Sequence, residues 1–113
     1  MFETLVLAEI IKFIRNYRKD WEVFFWRTKE GQEVDIVLKT ARGEMHAFEA
    51  KYAVHGVSKN TTYPPSFQKD FSPRVPLVVV TSGGQSLKLS SQCITLPISE
   101  LHDYLKGLEG LLL

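Results

Sequence analysis

Residues 75–81 read Val-Pro-Leu-Val-Val-Val-Thr, and no other stretch restricts the fold of this 113-residue chain as much. The run is far short of the roughly 20 apolar residues that a membrane helix needs. Its β-branched valines favour extended backbone. A strand that is apolar at every position, rather than at alternate ones, has both faces covered. It belongs in the interior of a sheet, which points to an α/β fold. Ser82-Gly83-Gly84 punctuates its end.

The remaining elements arrange themselves around that strand. Phe2, Val6, Ile10, Phe13, Ile14 and Tyr17 recur with helical spacing and predict an amphipathic helix over 2–17, ended by Arg18-Lys19-Asp20. Glu22–Thr28 is aromatic and β-branched, and Glu33–Lys39 alternates with Val34, Ile36 and Leu38 on one face. Glu44–Tyr52 reads as a third strand, with turns at Lys29-Glu30-Gly31 and Ala41-Arg42-Gly43. These make an antiparallel meander after a helix. Residues 53–73 are polar and proline-bearing, a loop with at most a short helix near 66–71. Leu87–Leu89 and Cys93–Leu96 form a small hairpin, and Ser99 reads as the N-cap of a last helix over about 100–108. The length suits one domain spanning 1–113, with about four main strands. The helical pattern is already running at residue 2 with no cap before it, so the chain reads as a piece of a longer protein.

Several function classes fall away. Cys93 is the only cysteine, which excludes an internal disulfide and a cysteine-rich zinc site and suits the cytoplasm. Glu3, Glu9, Lys12 and Arg15 interrupt the apolar start, so it is neither a signal peptide nor a membrane anchor. The formal charge is +1, unlike that of a domain built to track duplex DNA electrostatically. Gly83-Gly84 lacks a following Lys-Ser/Thr and is a turn rather than a phosphate loop.

Chemistry concentrates in the second and third strands. Glu49 and Lys51 are two residues apart and so share a face, while Phe48 and Ala50 take the other. Asp35 and Glu49 lie equally far from residue 42, in the turn between their strands, and a hairpin brings them close to opposite one another. Two neighbouring carboxylates repel unless a cation lies between them. Mg²⁺ or Mn²⁺ suits such oxygens, and the Ala50 carbonyl is a further hard donor. The ion would acidify a bound water, and Lys51 would orient that water or neutralise developing charge, as phosphodiester hydrolysis requires.

The D…E-x-K pattern on a hairpin after a helix resembles the PD-(D/E)xK nuclease superfamily. More closely, the chain resembles the bacterial and archaeal family called domain of unknown function 4143, whose members lie C-terminal to an AAA+ ATPase module. The family's recurring helix pattern reads here as Phe2-Glu3-Thr4-Leu5-Val6-Leu7-Ala8-Glu9. Its hairpin reads as Phe25-Trp26-Arg27-Thr28-Lys29-Glu30-Gly31-Gln32-Glu33-Val34-Asp35-Ile36-Val37-Leu38, followed by Ala47-Phe48-Glu49-Ala50-Lys51. The VPLVVVTSGG and ITLPISEL segments are similar to the family's ending. The superfamily's proline is absent, since Val34 precedes Asp35.

The resemblance implies a restriction-endonuclease-like mixed central sheet (helix, three-stranded meander, further strand) flanked by helices. It implies a metal-dependent nuclease acting on DNA, with Asp35 and Glu49 as ligands, Lys51 assisting, and Glu3 or Glu9 completing the shell. The partners implied are DNA and the ATPase module of the same full-length chain, with any oligomer formed through that module and no membrane. Gln32, Arg27 and Lys29 are candidate phosphate contacts, although turn-edge polarity accounts for Gln32 equally well and strand-end solubility is the favoured reading of Arg27 and Lys29.

Plainer readings stand beside this one. E-x-K on a strand is common as a solvated face, and Asp35 with Lys51 reads equally as a surface ion pair. His46, His55 and His102 have no metal-ligand spacing, and Phe24, Phe25 and Trp26 read as core. A catalytically inactive domain that binds DNA or protein would keep the fold, and so would an oligomerisation module using the apolar Leu111-Leu112-Leu113 end.

Overall fold

The structure, a computed structural model, describes residues 2–27, 33–52, 75–90 and 92–108. Helix α1 spans Phe2–Asn16 and buries Val6, Ile10 and Phe13, with Phe2, Leu7 and Ile14 half-buried against the same core. Tyr17, expected on that face, is exposed. The helix closes by turning left-handed at Arg18, whose φ is 52°. The Lys19 N–H then donates to the Ile14 carbonyl at 2.9 Å, and the Arg18 N–H to that of Arg15 at 3.3 Å. This pairing is a Schellman motif, which satisfies carbonyls that the last turn leaves without partners.

Six strands follow: β1 (Glu22–Arg27), β2 (Glu33–Lys39), β3 (Met45–Lys51), β4 (Leu77–Thr81), β5 (Leu87–Ser90) and β6 (Cys93–Pro97). They form one sheet in the order β1-β2-β3-β4-β6-β5. The meander β1-β2-β3 is antiparallel; β3, β4 and β6 run parallel; β5 returns antiparallel to β6. The fold is therefore α/β with a mixed sheet of six strands rather than four, because both arms of the 87–97 hairpin join it.

β4 lies in mid-sheet and is buried at every position, as its unbroken apolar run requires. Its side chains alternate between two clusters. Val78 and Val80 join Ile36, Leu38, Phe48 and Leu96 beneath α1 and helix α2 (Leu101–Gly107). Val79 and Leu77 join Val37, Ala47, Val75 and Cys93 on the opposite face. Both described helices thus cover the first face.

Two further sequence expectations need correcting. Ser99 does not cap α2; it lies inside a 3-10 turn, Ile98–Glu100, that runs directly into the helix, and neither end residue supplies a side-chain cap. Pro97, with φ −70°, is the residue that precedes that turn, two positions before Ser99. Phe25 is not core but 63% exposed, because β1 is the edge of the sheet and α1 lies over its interior. The expected turn at 29–31 and the short helix near 66–71 lie outside the described residues.

Candidate functional site

Alternation along β3 decides where its polar residues go. Phe48 is buried under the helices and Ala50 packs against the same cluster, while Ala47 is buried on the other face. Glu49 and Lys51 therefore project from the face opposite the helices. Glu49 is half-buried and Lys51 exposed. The Glu49 charge is felt at Cys93 on the same face, two strands away. Burial chiefly raises the Cys93 thiol pKa, and the negative charge of Glu49 raises it further.

β2 brings Asp35 to the neighbouring position by backbone placement. The β2–β3 ladder runs from Lys39↔Met45 to Ile36↔Phe48, and Asp35 and Glu49 are the next residue on each strand. On its other side β2 changes register against β1, between Phe24↔Val37 and Trp26↔Val34. Asp35 and Ile36 together therefore face the single residue Phe25. This is a β-bulge, a device that bends a strand and re-aims a side chain. Meanwhile β3 remains paired to β4 as far as Lys51↔Thr81. Beside Lys51, the Thr81 hydroxyl donates to the Gly83 carbonyl at 2.7 Å and closes the Ser82–Gly84 turn. Gly84 takes φ 90° there, a conformation that suits glycine.

The two helical carboxylates part company. Phe2 meets Tyr52 edge to face, with ring centroids 6.2 Å apart, so the first turn of α1, which carries Glu3, lies at the strand end that holds Lys51. Glu9 turns toward α2. It pairs with Lys12 at 3.9 Å and lines a groove of about 510 Å³ with Leu5, Phe13, Ile98 and Leu105. Glu49 and Lys51 do not line that groove. Arg27 ends β1 opposite Glu33, while Lys29 and Gln32 lie outside the described residues.

Two histidines show how differently this fold treats imidazoles. The exposed His102 Nε2 is 3.2 Å from the Tyr17 hydroxyl, joining α2 to the end of α1. His46 has both ring nitrogens buried without a hydrogen-bond partner among the described residues. Burial lowers its pKa, partly offset by the negative charge of Glu44.

Among the described residues no three His, Cys, Asp or Glu side chains gather as a metal-binding group. The donors that Asp35, Glu49 and Ala50 bring are of one chemical kind: two carboxylates and a carbonyl are hard oxygens, which suit Mg²⁺ or Mn²⁺ rather than a softer ion. No described helix is long and apolar enough to cross a membrane. The model of the family described as domain of unknown function (DUF4143) matches residues 1–101. No curated protein and no solved structure matches the chain.

Proposed function

We propose, for a chain that belongs to the DUF4143 family, a nuclease-like module with a restriction-endonuclease-like core that hydrolyses DNA phosphodiesters. The observation that carries this reading is the placement of Asp35 at a bulge in β2, next to the β3 residues Glu49, Ala50 and Lys51. Helix, meander and parallel further strand follow one another in the order expected of such a core. In the full-length protein the module would act beside an AAA+ ATPase, in the cytoplasm.

Asp35 and Glu49, with the Ala50 carbonyl, would hold Mg²⁺ or Mn²⁺. A bound ion of this kind acidifies a water and stabilises charge on a phosphoryl oxygen. Lys51, exposed at the strand end, orients that water and offsets the charge that develops on the phosphate. Glu3 is the better placed helical carboxylate, since Glu9 is committed to the α1–α2 groove. The near-neutral charge of the chain agrees with a site whose positive charge comes from an ion.

The test is supercoiled DNA incubated with Mn²⁺ and the wild-type protein, Glu49→Ala and Lys51→Ala. Folding of each variant is checked by circular dichroism. Wild type should nick the plasmid, and each variant should lose about a hundredfold or more in rate. Equal cleavage by all three would remove these residues from the site. Absence of both cleavage and calorimetric Mn²⁺ binding would leave the domain as a non-catalytic interaction module.

A further inference from the structure

We infer that the Ser82–Gly84 turn is a second contact for the phosphate held at Lys51, with the Gly84 N–H as the donor and Thr81 as the positioning residue that aims it. The inference rests on the reading of Glu49 and Lys51 as a phosphodiester site and adds a group to that site.

Alternation puts the two on one face. Val78 and Val80 lie beneath the helices while Leu77 and Val79 take the other face, so Thr81 goes with Val79. Glu49 and Lys51 project from that same face, and Lys51 is the partner of Thr81 across the parallel β3–β4 ladder. Both strands end here, and ligands of open α/β sheets bind outside the carboxyl ends of the parallel strands.

Thr81 closes a strand that is otherwise aliphatic, and it is fully buried. Valine would fill the place with the same shape; what threonine adds is a hydroxyl. That hydroxyl donates to the Gly83 carbonyl at 2.7 Å, with the Leu96 carbonyl farther off at 3.4 Å. Since the Thr81 side chain lies on the Lys51 face, the bond to Gly83 bends the turn toward that face. It also sets the direction of the next amide. In a trans peptide the N–H points opposite to the carbonyl, so the Gly84 N–H is directed away from Thr81. Gly84 is exposed, and among the described residues its N–H donates no hydrogen bond. A φ of 90° holds it in this orientation without strain. Just past the end of β4, next to the lysine that ends β3, stands a backbone donor with nothing yet to bind. Backbone N–H groups are regular partners of phosphate oxygens and fix the register of a bound strand. A nucleotide-binding loop needs a following Lys-Ser/Thr. One amide beside a lysine on the neighbouring strand does not.

The experiment measures binding rather than cleavage. Fluorescence anisotropy of labelled duplex DNA is recorded in EDTA, across salt concentrations, with the whole chain. Thr81→Val should weaken binding about three- to tenfold, and Thr81→Ser, which keeps the hydroxyl, should bind like wild type. The loss in Thr81→Val should be the same at every salt concentration, because an amide carries no charge and releases no counterion; Lys51→Ala should instead flatten the salt dependence. Thr40→Val controls for a merely structural loss. Thr40 is also buried, and its hydroxyl accepts from the Glu44 N–H at 3.2 Å in the turn at the opposite end of β3. That variant should bind like wild type. In nitrogen–proton correlation spectra the Gly84 amide should move downfield as duplex is added. Unchanged affinity of Thr81→Val, an equal loss in Thr40→Val, no rescue by Thr81→Ser, a stationary Gly84 amide or no binding by wild type would each overturn the proposal. Glu49-dependent cleavage with no Thr81 effect would remove the turn alone. A Thr81 effect on binding without cleavage would remove the nuclease reading alone.

Discussion

Arg18 is held at φ 52°, where a side chain with a Cβ is strained and glycine is not. Its backbone is nevertheless needed there, because two hydrogen bonds close α1 around it. Arg18→Gly should therefore stabilise the protein by about 0.5–1 kcal/mol, read as a higher urea midpoint at unchanged slope. His46 carries the opposite kind of cost. Its folded pKa lies below the ordinary 6.5, so the unfolded imidazole takes a proton more readily than the folded one. The stability tied to this group is fully present above about pH 6.5 and is lost as the pH falls below it. His46→Leu should remove that acid-side loss. It should also add about 1 kcal/mol at pH 7, because no buried donor is left unpaired. Urea melts of both proteins at pH 7 and pH 5 measure this, and parallel losses in the two would contradict it.

Among the elements, β3 joins fold to site. One of its faces puts Phe48 into the core with no exposed surface, and the other carries Glu49 and Lys51. Phe48→Ala should cost about 3–5 kcal/mol, a large part of the 5–15 kcal/mol that holds a typical domain together. It should unfold or severely destabilise the chain in a thermal melt, whereas substitutions at exposed Lys51 should not. The same element shows what could be read without coordinates. The span of β2, Glu33–Lys39, follows from alternation, and α1 is readable to within a residue from its apolar spacing. These are local properties of consecutive side chains. The bulge at Asp35 and Ile36 was not readable, because it exists only in the pairing of β2 with β1. That Glu9 lines the groove between the helices was equally hidden, since helical angle places it and Glu3 alike near the apolar stripe. It took the packing of α2 to draw Glu9 aside. Ser99 misled for a related reason: a good capping residue was pre-empted by the proline-initiated turn around it.

At the scale of the whole molecule, charge and topology matter most. A chain of charge +1 that engages one phosphate of duplex DNA, at Lys51, should show a slope of log K against log salt of about −0.9. Anisotropy titrations across salt concentrations measure it, and a slope steeper than about −4 would mean a broad phosphate-tracking surface instead. The mixed sheet has a further consequence, one that lies in time rather than in space. Neighbours within β1-β2-β3 meet across short connections, but β3 meets β4 only after the chain from Lys51 to Leu77 has closed on itself. Long closures cost more entropy and slow the search. During refolding, amides of the meander should gain protection from hydrogen exchange before those of β4. β4, which flanks Glu49 and Lys51, would then set after the strands that carry the carboxylates, so a stalled chain would display them before it could use them.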